Sequence, residues 1–307
     1  MSARLGAWWF APVPRGRAAA LRALLYTFVA FDVVFLSAYG NARHGALPPE
    51  LYRPLFAGRV LPLPTPTPAL VSSVKVLLLV SIAAALGTRW HRVAGAGVFA
   101  FYFQWLLVYF SFGKVGHDRF AILVALAALP VAPRARWDDD TPDDIAGWAI
   151  RCVQVAVVLT YFGAAYAKLR FGGVDWVNGA TLMRAVVRRG TWLTAPLLER
   201  SDLLRAAQYG IVAFEAASPL MLVRGYIGRM YVALAAAFQV VVYATIRLTF
   251  LPHVVCLLAF VPLETIVGRA RSLARLSAGR APSTLAADKE FRADAGRARP
   301  DRRTGNV

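Results

Sequence analysis

Long apolar runs alternate with short polar segments along most of this sequence. About twenty apolar residues cross the hydrocarbon core of a bilayer as a helix, and eight runs approach or reach that length. Seven of them lie at residues 18–39, 69–86, 93–112, 148–169, 204–223, 230–246 and 250–267. The remaining run, fourth in chain order, follows the segment 113–119 and ends near residue 133. The pattern predicts an all-α integral membrane protein, a polytopic bundle of about eight transmembrane helices.

The segments around these runs complete the predicted organisation. Residues 1–17 are aromatic and basic and predict an interfacial N-terminal segment, and residues 18–267 predict one transmembrane domain. Residues 268–307 have the composition of a basic, disordered cytoplasmic tail. The proline-rich LPLPTPTP before the second run predicts extended chain. ATLMRAVVRRGTW predicts a short amphipathic helix on the membrane surface.

Composition and charge agree with a membrane protein. The chain has 307 residues and is 58% hydrophobic, against roughly 45–50% apolar residues in soluble proteins. The formal charge is +18, but the arginines fall mainly in short loops and the tail, where membrane orientation accounts for them. We therefore expect membrane lipids and no nucleic acid as partners. With eight crossings, the arginine bias places both termini in the cytoplasm of a multi-pass cell membrane protein.

Several ionisable residues lie inside or beside the apolar runs. Because charge is costly in a bilayer, such groups mark functional sites or pair with one another. The predicted topology brings five of them to a similar depth near the outer face: Asp32, His117, Lys168, Arg247 and His253. Glu215 lies in the middle of the sixth run. Each has a structural alternative: Asp32 pairs with an arginine, His253 caps its helix, or Glu215 neutralises a nearby cation.

The segment YFGAAYAKLRFGGVDWVNG contains the most informative of these residues, Lys168. Small residues precede it and would let another helix pack closely. Tyr161 lies seven positions earlier and therefore on the same helix face. Removal from water favours a neutral amine, which is a usable general base, unless an anion holds the lysine charged. The alternative is that Lys168 extends its ammonium to the membrane interface.

This segment resembles the YxxAGxxKL…WxxG signature of the horizontally transferred transmembrane (HTTM) family. That family includes the membrane domain of vitamin K-dependent gamma-carboxylase. Weaker matches extend over about residues 18–265, in AALRALLYTFVAFDVVF, FGKVGHDRFAILVALAAL and SPLML. The resemblance implies a reduced quinone, such as vitamin K hydroquinone or menaquinol, as cofactor, and quinol oxygenase or lyase chemistry. No metal is expected.

The resemblance also assigns roles to individual residues. It implies that Lys168 is the base that deprotonates the quinol and that His117 assists later in the reaction. Asp175 and Trp176 match the cluster after the lysine, and Gln239 stands where the family often has histidine. Together with the polar residues above, the pocket candidates are Tyr161, Asp32, Asp175, Trp176, Gln239, Arg247 and His253.

The sequence departs from the carboxylase in ways that bear on function. Gly116 precedes the histidine where the carboxylase has asparagine, and a large extramembrane region that holds the protein substrate is missing. We therefore expect the quinol-handling part of the reaction, with a partner protein supplying the missing domain. The alternative is a non-catalytic membrane module that binds lipid or another protein. That module would have Lys168 bonded to Asp32 or Glu215, or turned to solvent, with no cavity.

Overall fold

The computed structural model describes residues 3–61, 63–113 and 115–270. Within these ranges the chain forms twelve α-helices, a further helical stretch at Leu263–Ala270 and one two-stranded β pairing. The elements are α1 (Ala3–Trp9), β1 (Val13–Pro14), α2 (Arg15–Phe31), α3 (Ala38–Gly45), α4 (Phe56–Val60), α5 (Pro68–Gly87), α6 (His91–Phe110), α7 (Phe120–Ala128), β2 (Pro142–Asp143), α8 (Asp144–Gly172), α9 (Ala180–Arg189), α10 (Ser201–Ala216), α11 (Tyr226–Ile246) and α12 (Leu251–Cys256).

Shorter helical turns join several of these helices. A π-helical turn, Asp32–Leu36, continues α2, and the other turns are 3₁₀: Pro49–Leu51, His117–Arg119, Leu129–Val131, Val174–Val177, Ala195–Glu199, Ser218–Leu222 and Leu257–Phe260. The chain divides into a compact unit that ends at Glu264 and a second unit from Thr265. The second unit is described to residue 270, where it is helical. Most of the predicted tail, from residue 271, lies outside the described residues.

Five helices of the described chain are long and apolar enough to cross a membrane. They are Arg15–Leu36, which joins α2 to its π-helical turn, and α5, α6, α8 and α11. A sixth crossing results if the bent pair Leu251–Phe260 and Leu263–Ala270 forms one span. The predicted all-α class agrees with this structure, and the five apolar helices fit a membrane protein.

Three of the eight predicted crossings are shorter, interrupted helices, so the count of eight is not confirmed. Helices α7 and α10 each run into a 3₁₀ turn that contains a proline, Pro130 and Pro219 respectively. Helix α12 begins with Pro252 near its first turn, and Pro262 follows its 3₁₀ extension. Proline lacks a backbone N–H and clashes with the preceding turn. The apolar run therefore continues in sequence where the helix does not.

The amphipathic segment is helical, as predicted, while its position on a membrane surface stays a prediction, and the proline-rich segment is non-helical before its last residue. The former is α9, and residues 61 and 63–67 of LPLPTPTP are non-helical, with Pro68 opening α5. Helices α3 and α4, between the first two long helices, were not predicted from the sequence.

Helices α2 and α8 form the centre of the bundle. Leu21, Leu25 and Val29 of α2 are buried at four-residue spacing, which places them on one face. Helix α2 packs against α5, α8 and α12, while α8 also packs against α7 and α10. Helices α5 and α11 expose large apolar side chains such as Val80 and Val240. Extensive exposed apolar surface of this kind suits contact with lipid.

The short β pairing fastens the start of α2 to the start of α8. Val13 pairs with Asp143 and Pro14 with Pro142 in antiparallel register. Arg15 donates a hydrogen bond to Asp143, with Nε and Oδ2 separated by 3.1 Å. The Asp143 side chain also accepts from the backbone N–H of Ala146 and so caps α8. Gly147 lies against this joint, where an added Cβ would be 2.2 Å from the carbonyl oxygen of Ala11.

Replacing Gly147 by alanine is expected to destabilise the protein by about 1–3 kcal/mol, because the clash forces the backbone of the joint apart. The free energy of unfolding in detergent would measure the loss. Gly163→Ala in the same helix is the matched control, because nothing lies within 4 Å of the position of its Cβ. That variant should be as stable as the wild type or slightly more stable, since alanine favours helix. Equal losses in both variants would contradict the proposed clash.

Candidate functional site

Lys168, near the end of α8, is paired with Glu215 of α10. Its ammonium Nζ is 2.5 Å from both carboxylate oxygens of Glu215. The lysine side chain is 22% exposed and that of Glu215 is 8% exposed. Removal from bulk water strengthens the attraction between such charges. The ion pair confirms the alternative that Glu215 neutralises a nearby cation.

Two glycines, Gly172 and Gly173, follow Lys168 at the end of α8, and the chain after them folds back over the lysine. Gly173 has φ +61, in the region that favours glycine, and it ends α8. The following 3₁₀ turn brings Trp176 against Gly172, where an added Cβ would be 2.9 Å from the indole ring. The Lys168 ammonium consequently lies 5.3 Å from the centroid of the Trp176 ring, a cation–π contact.

Gln208 of α10 holds the same turn from the opposite side. Its Nε2 donates to the carbonyl oxygen of Trp176 at 2.6 Å. Gln208 is fully buried, and its Oε1 has no hydrogen-bond partner among the described residues. Gln208, Ile211 and Glu215 recur at helical spacing and share one face of α10. This spacing was the signal by which the sequence could have added Gln208 to the site.

Tyr161 lies two turns before Lys168 and anchors the other end of the site. Its hydroxyl accepts a hydrogen bond from Nε2 of Gln239 in α11 at 2.7 Å. The His253 ring of α12 stands perpendicular to the Tyr161 ring, with centroids 4.5 Å apart. His253 is 2% exposed, and neither ring nitrogen has a hydrogen-bond partner among the described residues. A buried imidazole in that condition is costly, which favours a ligand that bonds to it.

His117 reaches the site from the turn before α7. Its ring centroid is 5.9 Å from that of Phe250. Arg119, two residues on, points away from the site and donates to both carboxylate oxygens of Asp32. Asp118 faces the cavity with His117. Burial raises the pKa of the Asp118 carboxyl, although the charges of Arg119 and His117 oppose the shift.

These side chains line one cavity of about 410 Å³. Pockets of roughly 300–1,000 Å³ hold drug-sized molecules. The polar groups on its wall are His117, Asp118, Thr160, Tyr161, Lys168, Trp176, Thr181, Gln208, Glu215, Gln239 and His253. Aliphatic and phenylalanine side chains form the remainder, including Ala164, Ile211 and Phe238. The site is thus a cavity whose largely apolar wall carries both charged and neutral polar groups.

Six of the predicted site residues line this cavity: His117, Tyr161, Lys168, Trp176, Gln239 and His253. Asp32, Asp175 and Arg247 are not among its lining residues. Asp32 is fully buried in its ion pair with Arg119, which confirms the structural alternative for that residue. Asp175 and Arg247 are exposed, and Arg247 ends α11. The alternative that His253 caps its helix is wrong, because α12 has no side-chain cap.

The structure agrees with one part of the prediction made for a non-catalytic module and contradicts another part. Lys168 is bonded to Glu215, one of the arrangements which that alternative named, but the pair borders a cavity, whereas the alternative predicted none. Among the described residues, no group of three or more histidine, cysteine, aspartate or glutamate side chains could hold a metal ion.

Comparisons with known proteins do not assign the chain to a family. No family profile, curated protein or solved structure matches it. The HTTM resemblance therefore stays a prediction from the sequence.

Proposed function

We propose that this chain is a multi-pass membrane protein of the HTTM class that binds a reduced quinone in the cavity beside Lys168 and removes a proton from it. The observation that supports this most directly is the placement of the Lys168–Glu215 pair on one apolar-walled cavity with His253, whose ring nitrogens have no hydrogen-bond partner in the described part of the chain. In this proposal the shorter helices complete eight crossings, both termini are cytoplasmic, and the cavity lies toward the outer leaflet.

The chemistry of the wall suits a quinol. A hydroquinone carries two hydroxyl groups on opposite sides of an aromatic ring, and its tail is apolar. The cavity likewise offers more than one polar contact: the Lys168–Glu215 ion pair, and the Tyr161–Gln239 hydrogen bond with His253 against the Tyr161 ring. His253 supplies a nitrogen able to accept or donate a hydrogen bond. Trp176 and Phe238 provide aromatic surface for the ring.

The ion pair determines how Lys168 can act as a base. A charged ammonium cannot accept a proton until it has passed its own to Glu215. Proton transfer from the hydroxyl to the amine, after that exchange, leaves a protonated Glu215 and a charged Lys168 beside the anion. Direct transfer to Glu215 leaves the same charges. In either route the ammonium stabilises the negative oxygen electrostatically. When bound, a reduced quinone supplies the acidic hydroxyl and two electrons for molecular oxygen.

A second candidate is a non-catalytic module that binds lipid or a partner protein through this cavity. The short Lys168–Glu215 contact favours it, because a lysine held by a carboxylate already has a structural role. The two candidates differ in turnover, since both predict a bound ligand.

The test is quinol consumption by the full-length protein in lipid nanodiscs, with reduced menaquinone or vitamin K hydroquinone and oxygen. We expect consumption and the appearance of quinone epoxide by mass spectrometry, together with saturable quinol binding. Ala164→Phe narrows the cavity and should remove binding, whereas Ala167→Phe, three residues on and exposed, should not. Saturable binding without turnover would favour the second candidate. Absence of binding, or equal loss in both variants, would overturn the cavity assignment.

A further inference from the structure

A cluster of cations lies away from the candidate site, near the first turns of α6. At its centre is Arg22, which is only 6% exposed. Its Nη1 donates to the carbonyl oxygens of Leu129 and Ala132, at 3.3 and 3.0 Å. In the part of the chain that the structure describes, the ion pairs of the basic side chains do not include Arg22, Arg92 or Arg134.

The neighbours of Arg22 add positive charge. Arg134 is close enough to interact with it electrostatically, and His91 lies near both Arg22 and Arg92. His91 adjoins the carbonyls of Arg89 and Ala132, although neither ring nitrogen reaches hydrogen-bonding geometry with them. A buried cation without a counter-ion is costly. The cluster therefore favours an anion from outside the chain.

A buried hydroxyl beside the same helix start gives independent support. Tyr26 lies one turn after Arg22 and is fully buried, and its hydroxyl has no hydrogen-bond partner among the described residues. The hydroxyl faces Gly95 of α6, where an added Cβ would be 2.7 Å away. Helix α6 has no acidic residue in its first turn and no side-chain cap. Its N-terminal N–H groups therefore add to the attraction for an anion.

An apolar groove of about 360 Å³ begins at this cluster. Arg92 borders it, and the remaining lining residues are apolar: Ala96, Phe99, Leu126, Ala127, Pro130 and Val131. Arg92 and Arg134 are exposed, so an anion can reach both from outside the bundle. A charged end followed by an apolar channel matches the shape of an amphiphile with an anionic head.

We propose that this groove binds an anionic phospholipid, with its phosphodiester at Arg92 and Arg134, backed by Arg22, and an acyl chain along α6 and α7. Basic pockets between membrane helices recognise acidic lipid head groups in this way. The proposal requires that the protein lies in a membrane, but it does not depend on quinol chemistry. The bound lipid would hold α6 against the C-terminal end of α7, where the helix is followed by the 3₁₀ turn Leu129–Val131.

The test measures equilibrium binding of fluorescent phosphatidylglycerol to the full-length protein in neutral detergent, with unlabelled lipids as competitors. Unlabelled phosphatidylglycerol should compete and phosphatidylcholine should not. Neutralising both exposed arginines in Arg92→Gln/Arg134→Gln should weaken binding about 30-fold, from two charge contacts. Arg89→Gln/Arg136→Gln removes the same charge from exposed positions outside the groove lining and should change binding less than about threefold.

The acyl chain has its own matched pair of variants. Ala96→Phe fills the groove and should weaken binding of phosphatidylglycerol, whereas Ala100→Phe, one turn on and outside the groove, should not. Unfolding temperatures measured without lipid show which variants keep the wild-type fold. Equal weakening by both arginine pairs would overturn the proposal, as would equal competition by phosphatidylcholine. Displacement by inorganic phosphate at the same concentration as the lipid would reassign the site to a free anion and also overturn it.

Discussion

Replacing Lys168 by methionine is expected to lower the rate constant of quinol consumption by at least about 100-fold, because general base catalysis contributes about 10²–10⁴-fold. Methionine keeps most of the length of lysine and removes the ammonium. Quinol affinity should fall far less than the rate constant, since the apolar wall and the Tyr161–Gln239 hydrogen bond remain. Steady-state kinetics over a range of quinol concentrations would separate the two effects.

The single variant leaves Glu215 buried without its cation, so lost activity could reflect lost structure. Lys168→Met/Glu215→Leu replaces the whole pair by apolar groups and should recover stability without recovering turnover. Lys75→Met, in α5 and outside the cavity, is the matched control for loss of a lysine from an apolar helix. A Lys168→Met protein that binds and consumes quinol at the wild-type rate would rule out the base role.

Replacing Asp32 by asparagine is expected to destabilise the protein by about 3–5 kcal/mol, the usual cost of removing one partner from a buried ion pair. Asp32 is fully buried and accepts hydrogen bonds from Arg119 and from the hydroxyl of Tyr102 at 2.9 Å. Nη1 of Arg119 also donates to Tyr102 at 2.9 Å. Asparagine keeps the shape but removes the carboxylate charge to which Arg119 donates directly. Chemical unfolding in detergent would give the change in free energy.

Arg136→Gln provides the comparison for that experiment. It breaks the exposed pair with Asp138, and exposed pairs contribute little, so no measurable change is expected. Because Arg119 follows His117 by two residues, Asp32→Asn should also disturb the histidine and weaken quinol binding. A variant as stable as the wild type would show that the Asp32–Arg119 pair does not hold the α7 turn in place.

Periodicity was enough to place Tyr161 and Lys168 on one surface, because seven residues make nearly two helical turns. It could not pair Lys168 with Glu215, since that contact joins residues 47 positions apart. The choice between the roles of Asp32 depended on its contact with Arg119, which lies in the segment 113–119 that leads into the fourth apolar run. His253 lines the cavity as well, but only the placement of α8, α11 and α12 together showed that its ring lacks a hydrogen-bond partner within residues 3–61, 63–113 and 115–270.

Hydropathy was a better guide to composition than to helix continuity. It identified the apolar segments of α7, α10 and α12, but a window average is insensitive to one proline among many leucines and alanines. Pro130 and Pro219 lie in 3₁₀ turns that follow the ends of α7 and α10. Conversely, the hydropathy pattern did not predict α3 and α4, because these helices are short and lie in a segment with several prolines.

The joint between β1 and β2 constrains the order in which the chain can be assembled as it is synthesised. Arg15 and its partner Asp143 are separated by 128 positions in the sequence, and Arg17 and its partner Glu264 by 247 positions. Each partner is synthesised that much later. Helices α2, α5, α6 and α7 therefore leave the ribosome before the start of α2 can be fixed. Contacts of α2 with α5 and α7 can therefore form first, whereas its contact with α8 and the joint between β1 and β2 can form only once α8 has been synthesised.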